Sequence, residues 1–147
     1  MNYPNLNPDK ALIWRILHRA NLPWVLQNGI HCGNSQIRSE KWMSIGNAEL
    51  VDKRAVRPVP VPPGGTLGDY VPFYFTPFSV MLRNIHTGWN GIKQAPNADI
   101  VILVSSLRRV SQLGLPFLFT DCHAYSGLAN FYDDLARLEK RIARLSA

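Results

Sequence analysis

Two arginines stand where a guanidinium is costly unless it is used. Arg15 interrupts the apolar run ALIWRIL (11–17), and Arg54 closes NAELVDKR (47–54) just ahead of the rigid stretch RPVPVPPGG. A charge inside an apolar strand must point outward or find an anionic partner. Guanidinium groups grip phosphates in two-point fashion. Further along, Tyr70, Phe73, Tyr74, Phe75 and Phe78 crowd into DYVPFYFTPF. Paired arginines beside an aromatic wall suit a dinucleotide. The competing reading makes Lys53 and Arg54 solvated cations at a helix end, with Tyr74 and Phe75 ordinary core. On these residues alone both readings stay open.

Other chemistries find less support. His18, His31, His86 and His123 show no H-x-x-x-H spacing, and Cys32 and Cys122 lie far apart, so no metal motif is present. The two cysteines read as reduced thiols of a cytoplasmic protein. No G-x-S-x-G elbow and no G-x-x-x-x-G-K-[ST] phosphate loop occurs, and PPGG reads as a tight turn. Lys plus Arg number 16 against 10 Asp plus Glu, a net +6. That surplus favours an anionic partner, with nucleic acid first. Glutamate is confined to Glu40, Glu49 and Glu139.

The elements that must position these residues follow from pattern. A chain of 147 residues, 46% hydrophobic and 18% charged, is the size of one globular domain spanning 1–147. No apolar run approaches the roughly 18 residues that span a bilayer, and MNYPNLNPDK has no signal-peptide pattern. The sequence predicts a strand at 12–17 and a helix at 21–28, with Asn21 as cap, Pro23 in the first turn and Gly29 just past the end. An ordered loop over 30–44 and a helix over 47–54 capped by Asn47 follow. DYVPFYF reads as an edge or irregular strand because of Pro72. A helix at 77–86 is expected to start from Thr76 and Pro77, followed by a surface loop over 87–97. DIVILVSS (99–106) reads as a central buried strand, SLRRVSQLG as a short helix and LPFLFTD (115–121) as another buried strand. From Ala124 onward, Leu128, Phe131, Tyr132, Leu135, Leu138, Ile142 and Leu145 recur at helical spacing, opposite Arg137, Lys140, Arg141 and Arg144. The class is α+β.

The chain resembles the DarT toxins, bacterial DNA ADP-ribosyltransferases that use NAD to modify bases in single-stranded DNA. The likeness runs from IWRILHRANLPWVLQNGI through SIGNAELVDKRAVRPVPVPPGG and DYVPFYFTPFSVML to GLPFLFTDCHAYSGLANFYDDL. It implies an ADP-ribosyltransferase fold, a mixed sheet with flanking helices. Arg54 matches the family's catalytic arginine, which helps remove the proton from the acceptor base. Arg15, Ile16 and Leu17 match the strand whose backbone receives nicotinamide, with His18, Asn21 and Trp24 on its rim. Tyr74 and Met81 match positions lining the NAD site, while Phe73 and Phe75 belong to the core because strand neighbours alternate faces. His123 matches a histidine at the start of the loop that presents the nucleic acid, and single-stranded DNA is expected across the basic surface near His123, Arg108 and Arg109. Phe78 stands where members with TPRSPM carry arginine, which points to a difference in the base chosen. A DarG-type macrodomain antitoxin is the implied protein partner, with no metal and no membrane.

The resemblance also implies a glutamate on a late strand, a fixed carboxylate that offsets the positive charge developing at the ribose carbon. RIARLSA comes before such a strand, and Glu139 sits in the wrong segment to replace it. The expectation is therefore a fold without its closing C-terminal strands, weak or inactive alone, whether trimmed, disarmed or degenerate. The alternative function is a non-catalytic single-strand-binding or antitoxin-interaction module.

Overall fold

The computed structural model describes residues 11–138. β1 (Leu12–His18) forms where the bulky apolar run predicts a strand. Along one edge it pairs antiparallel with β2 (Ile100–Ser106), from Leu12 opposite Ser106 to His18 opposite Ile100. On its other edge Trp14 exchanges two backbone hydrogen bonds of 2.8 Å with Tyr74. Alternation places Ile13, Arg15 and Leu17 on one face and Trp14 and Ile16 on the other. Ile13 joins Ala11, Leu107, Phe119 and Leu138, with Phe73 and Phe75 packed against them. Ile16 packs against a second cluster of Ile85, Ile92 and Ala95. β1 thus lies between two small cores, and its one charged residue shares a face with the aromatic one.

Helices flank this unit. α1 (Leu22–Asn28) has Pro23 in its first turn and ends at Gly29, whose φ of 84° suits a residue without Cβ. α2 (Ala48–Ala55) is capped as expected: Asn47 Oδ1 accepts from Leu50 N at 3.0 Å. α3 (Val80–Thr87) begins later than predicted because Ser79, not Thr76, is the cap. Ser79 Oγ accepts from Leu82 N at 3.2 Å, while Thr76 Oγ1 is occupied in a local turn by Phe78 N at 3.1 Å. α4 (Leu107–Gln112) is capped by Ser106, which accepts from Arg109 N at 3.1 Å. A second antiparallel ladder joins β3 (Phe119–Thr120) to β4 (Phe131–Tyr132).

The α+β class holds, with two small antiparallel sheets among the described residues. Several expected elements are shorter. DYVPFYF is no strand: its pairing is the single Tyr74 bridge, since Pro72 has no N–H to donate and its carbonyl is taken by Arg15. β2 pairs with β1 alone among the described residues and leaves Val104 57% exposed, so it is not a central buried strand. The 115–121 strand shrinks to Phe119–Thr120, with Pro116 unable to donate and Leu115 exposed. The amphipathic helix expected from Ala124 does not start there. Leu128 is 87% exposed, and Phe131 and Tyr132 are strand residues, held by Tyr132 stacking on Phe119 with centroids 5.1 Å apart. Helix is present at 135–138, while Lys140, Arg141, Ile142, Arg144 and Leu145 lie outside the described residues. The 87–97 segment is not simply surface, since Ile92 and Ala95 turn inward. Among the described residues no helix is long and apolar enough to cross a membrane.

Candidate functional site

Arg54 sits in the last turn of α2, and several contacts fix that helix end. Thr66 Oγ1 donates to Ala55 O at 2.8 Å, and Asp69 gathers Thr66 N at 2.7 Å and Asn34 Nδ2 at 2.8 Å. Those hydrogen bonds hold the Asp69 carboxyl below its ordinary range, the Thr66 backbone first. Gly68 is required here, because a Cβ at that position would stand 2.8 Å from Ala55 Cα. PPGG makes the expected tight turn: Gly64 and Gly65 have φ of 83° and 76°, and Val59 N donates to Gly65 O at 2.9 Å.

Against this fixed end stand Arg15, Tyr74 and His123. Arg15 does not point to solvent. Its Nη1 donates to Pro72 O at 2.9 Å, a neutral acceptor, and burial lowers its pKa, with Tyr74 opposing and Arg54 adding to the shift. Burial lowers the pKa of Arg54 too, against the pull of Tyr74. The Tyr74 hydroxyl is raised by burial, offset in part by both arginines. His123 is lowered by partial burial and then by Arg54. Arg15, Arg54 and Tyr74 therefore lie within electrostatic reach of one another, and His123 lies within reach of Arg54. The described ion pairs, Arg19 with Asp99 and Lys53 with Glu49, involve neither Arg15 nor Arg54. Among the described residues no ion pair joins either guanidinium to a carboxylate, and the Tyr74 ring stands within electrostatic reach of both.

The other predicted residues have varied places. Ile16 packs into the second core and Leu17 is buried. His18 Nδ1 accepts from Ala20 N at 3.1 Å, capping a short turn. Asn21 does not cap α1 with its side chain. It is buried and clasps the backbone of Met43, donating to its O and accepting from its N, both at 2.8 Å. Trp24 meets His31 and Trp42 edge-on at 5.6 and 5.8 Å. Met81 packs against Ile85 and the second core, its Sδ 3.0 Å from where a Cβ on Gly46 would stand. Asn21, Trp24 and Met81 thus hold the 30–46 loop, whereas Arg15, Arg54, Tyr74 and His123 make the charged cluster. Arg108 and Arg109 are exposed on α4, and Phe78 is 85% exposed ahead of α3.

Two residues of the neighbourhood carried no clear sequence signal. The Arg57 guanidinium carbon lies over the Tyr125 ring, 5.2 Å from its centroid, bringing the loop after β3 onto the end of α2. The only hint was position: Arg57 follows Arg54 by three residues and Tyr125 follows His123 by two.

The family model described as "ssDNA thymidine ADP-ribosyltransferase, DarT" matches residues 14–145. The chain belongs to the DarT family. A DarT relative from Escherichia coli O127:H6, named DNA ADP-ribosyl transferase, is 62% identical over 136 residues, covering 92% of this chain. One of the same name from Thermus sp. (strain 2.9) is 40% identical over 131 residues, covering 89%. The chain spans 62% of the length of each of these relatives. Among solved DarT structures, that of Thermus sp. 2.9 DarT in complex with ADP-ribosylated ssDNA superposes with a TM-score of 0.82 at 38% identity, covering 90% of this chain and 63% of that one. The complex of the same DarT with NAD+ gives 0.75 at 38% identity, covering 90% and 62%.

Proposed function

We propose that this chain supplies the NAD- and acceptor-binding part of a DarT-type DNA ADP-ribosyltransferase. The observation that carries the reading is the meeting of Arg15 and Arg54, without a carboxylate among the described residues, beside Tyr74 and His123. Such a pair fits a dinucleotide diphosphate. Arg15 and Arg54 neutralise and orient it, while Tyr74 and the buried backbone at Leu17 bound the nicotinamide end. His123 marks the side from which single-stranded DNA enters. In the transfer, the bond between nicotinamide and the ribosyl carbon breaks with its electron pair going to nicotinamide. The acceptor base donates a lone pair to that carbon and releases its proton to water, and the cationic Arg54 guanidinium assists that loss by stabilising the negative charge developing on the base. Thymidine, the acceptor in the family description, is the first base to test.

Incubation with NAD and a short thymidine-containing oligonucleotide tests the reading by oligonucleotide mass. A gain of one ADP-ribose that disappears in Arg54→Ala supports it. Salt-sensitive oligonucleotide binding with no gain, in a chain that binds no NAD, would replace it by the second reading, a non-catalytic single-strand binder. As a DarT toxin the protein would act on DNA in the cytoplasm and pair with a DarG-type macrodomain antitoxin, which co-purification would reveal.

A further inference from the structure

The loop between β3 and β4 is braced and docked in one direction. Asn130 closes its base on Asp121, donating from N to Oδ1 at 3.0 Å and from Nδ2 to Oδ2 at 2.8 Å. Inside it Ser126 N donates to His123 O at 2.8 Å and Tyr125 N to His123 Nδ1 at 3.3 Å. The braced loop then lies on the basic end of α2, with Tyr125 under Arg57 and His123 within reach of Arg54. The Arg57 backbone is fixed independently, its N donating to Arg54 O at 3.2 Å and its O accepting from Leu67 N at 2.9 Å. Among the described residues no carboxylate pairs with Arg57, whereas neighbouring Lys53 is taken by Glu49.

A guanidinium held over a tyrosine ring by a cation–π contact loses rotamer freedom and still has N–H donors to offer an anion. We infer that Arg57, stacked on Tyr125, is a second anion-binding position that grips a backbone phosphate of single-stranded DNA beside the nucleotide held at Arg54. The assignment rests on the acceptor reading given above and adds residues that reading does not use. A phosphodiester is favoured over a carboxylate because the platform adjoins the proposed acceptor entrance and offers the forked donors that match phosphate. The ring is the part of Tyr125 that matters, so its hydroxyl is dispensable.

The test is fluorescence anisotropy with a labelled single-stranded oligonucleotide of about 12 nucleotides, alongside calorimetric titration with NAD. Arg57→Gln is expected to weaken oligonucleotide binding about tenfold and to lower the slope of log affinity against log salt by about 0.7. NAD binding stays unchanged. Arg57→Lys keeps the salt slope but binds more weakly, since a lysine cannot stack as a plane. Tyr125→Phe behaves as the unaltered chain and Tyr125→Leu follows Arg57→Gln, with thermal melting confirming that each variant folds. Unaltered oligonucleotide affinity and slope in Arg57→Gln, while the parent chain binds both ligands, overturns this inference alone. Failure of the parent chain to bind any oligonucleotide overturns it together with the acceptor reading. A loss confined to polyglutamate binding would mark an acidic protein surface instead and also overturn it.

Discussion

At the scale of single residues, His123 is the group whose protonation should be visible. Partial burial and the neighbouring Arg54 both oppose its charged form, so its folded pKa lies below the ordinary value. In the neutral ring Nδ1 accepts from Tyr125 N, which leaves the proton on Nε2. Protonation at Nδ1 removes that acceptor and adds a positive charge beside Arg54. Between the lowered folded value and the unfolded value of about 6.5 the unfolded chain binds more protons, so stability rises with pH in that window. The contribution is whole above about 6.5 and is lost as pH falls through the folded value. The melting temperature of the parent chain should therefore drop more between about pH 7.5 and about pH 5.5 than that of His123→Gln. Parallel thermal melts at the two pH values check this. Equal drops in both proteins would remove His123 from the pH response.

At the scale of elements, the Asn21 clasp shows how a helix start can be given to a loop. Asn21 is buried and both ends of its amide are used by the backbone of Met43, itself 40% exposed, so its removal takes two hydrogen bonds from that backbone at once. At about 0.5–1.5 kcal/mol net for each bond, the pair contributes about 1–3 kcal/mol. Asn21→Ala is expected to lower stability by about that amount and to expose the 30–46 loop to protease, as denaturant unfolding and limited proteolysis would measure. An intact loop at unchanged stability would mean that the clasp contributes nothing net. The same residue marks the limit of what sequence patterns disclose. Asn at a helix start signals a cap, but whether its side chain turns to the helix or to a strand of chain twenty residues away is decided by packing. β1, α2 and α4 were legible because bulky runs and Asn or Ser caps act locally. β3 and β4 were not, because their lengths depend on Phe119 stacking with Tyr132 across a loop clasped by Asp121 and Asn130. The division of YVPFYF was legible in its faces: Phe73 and Phe75 went to the core and Tyr74 to the arginines, although the strand reduced to one bridge. Of the residues expected at the site, Arg15, Arg54 and Tyr74 lie within electrostatic reach of one another and His123 within reach of Arg54. Arg57 and Tyr125 lay hidden, since a contact between an arginine and a ring 68 positions apart leaves no periodic trace.

At the scale of the whole molecule, the balance of charge separates binding from turnover. Lys plus Arg number 16 against 10 Asp plus Glu, and the described ion pairs leave Arg15 and Arg54 without a carboxylate. Cations fixed in a desolvated place stabilise a diphosphate in its ground state. They oppose the positive charge that develops at the ribosyl carbon when the glycosidic bond breaks, where a fixed carboxylate would help. On the proposed reading, the described residues therefore suit holding NAD better than cleaving it. Calorimetric titration should show NAD binding that weakens several-fold between about 0.05 and about 0.5 M salt, less steeply than an exposed charge pair because the arginines are partly buried. Arg54→Ala should reduce that binding about tenfold, the loss of one charge-assisted phosphate contact, and Arg54→Lys should recover part of it. Nicotinamide release by the same preparation, followed by chromatography, should stay far below the rate at which NAD binds and dissociates. Rapid release that depends on Arg54 would instead show that a carboxylate from elsewhere in the 147 residues reaches the arginine pair. Successive carboxylate-to-amide substitutions would then identify it by the loss of release with NAD binding retained.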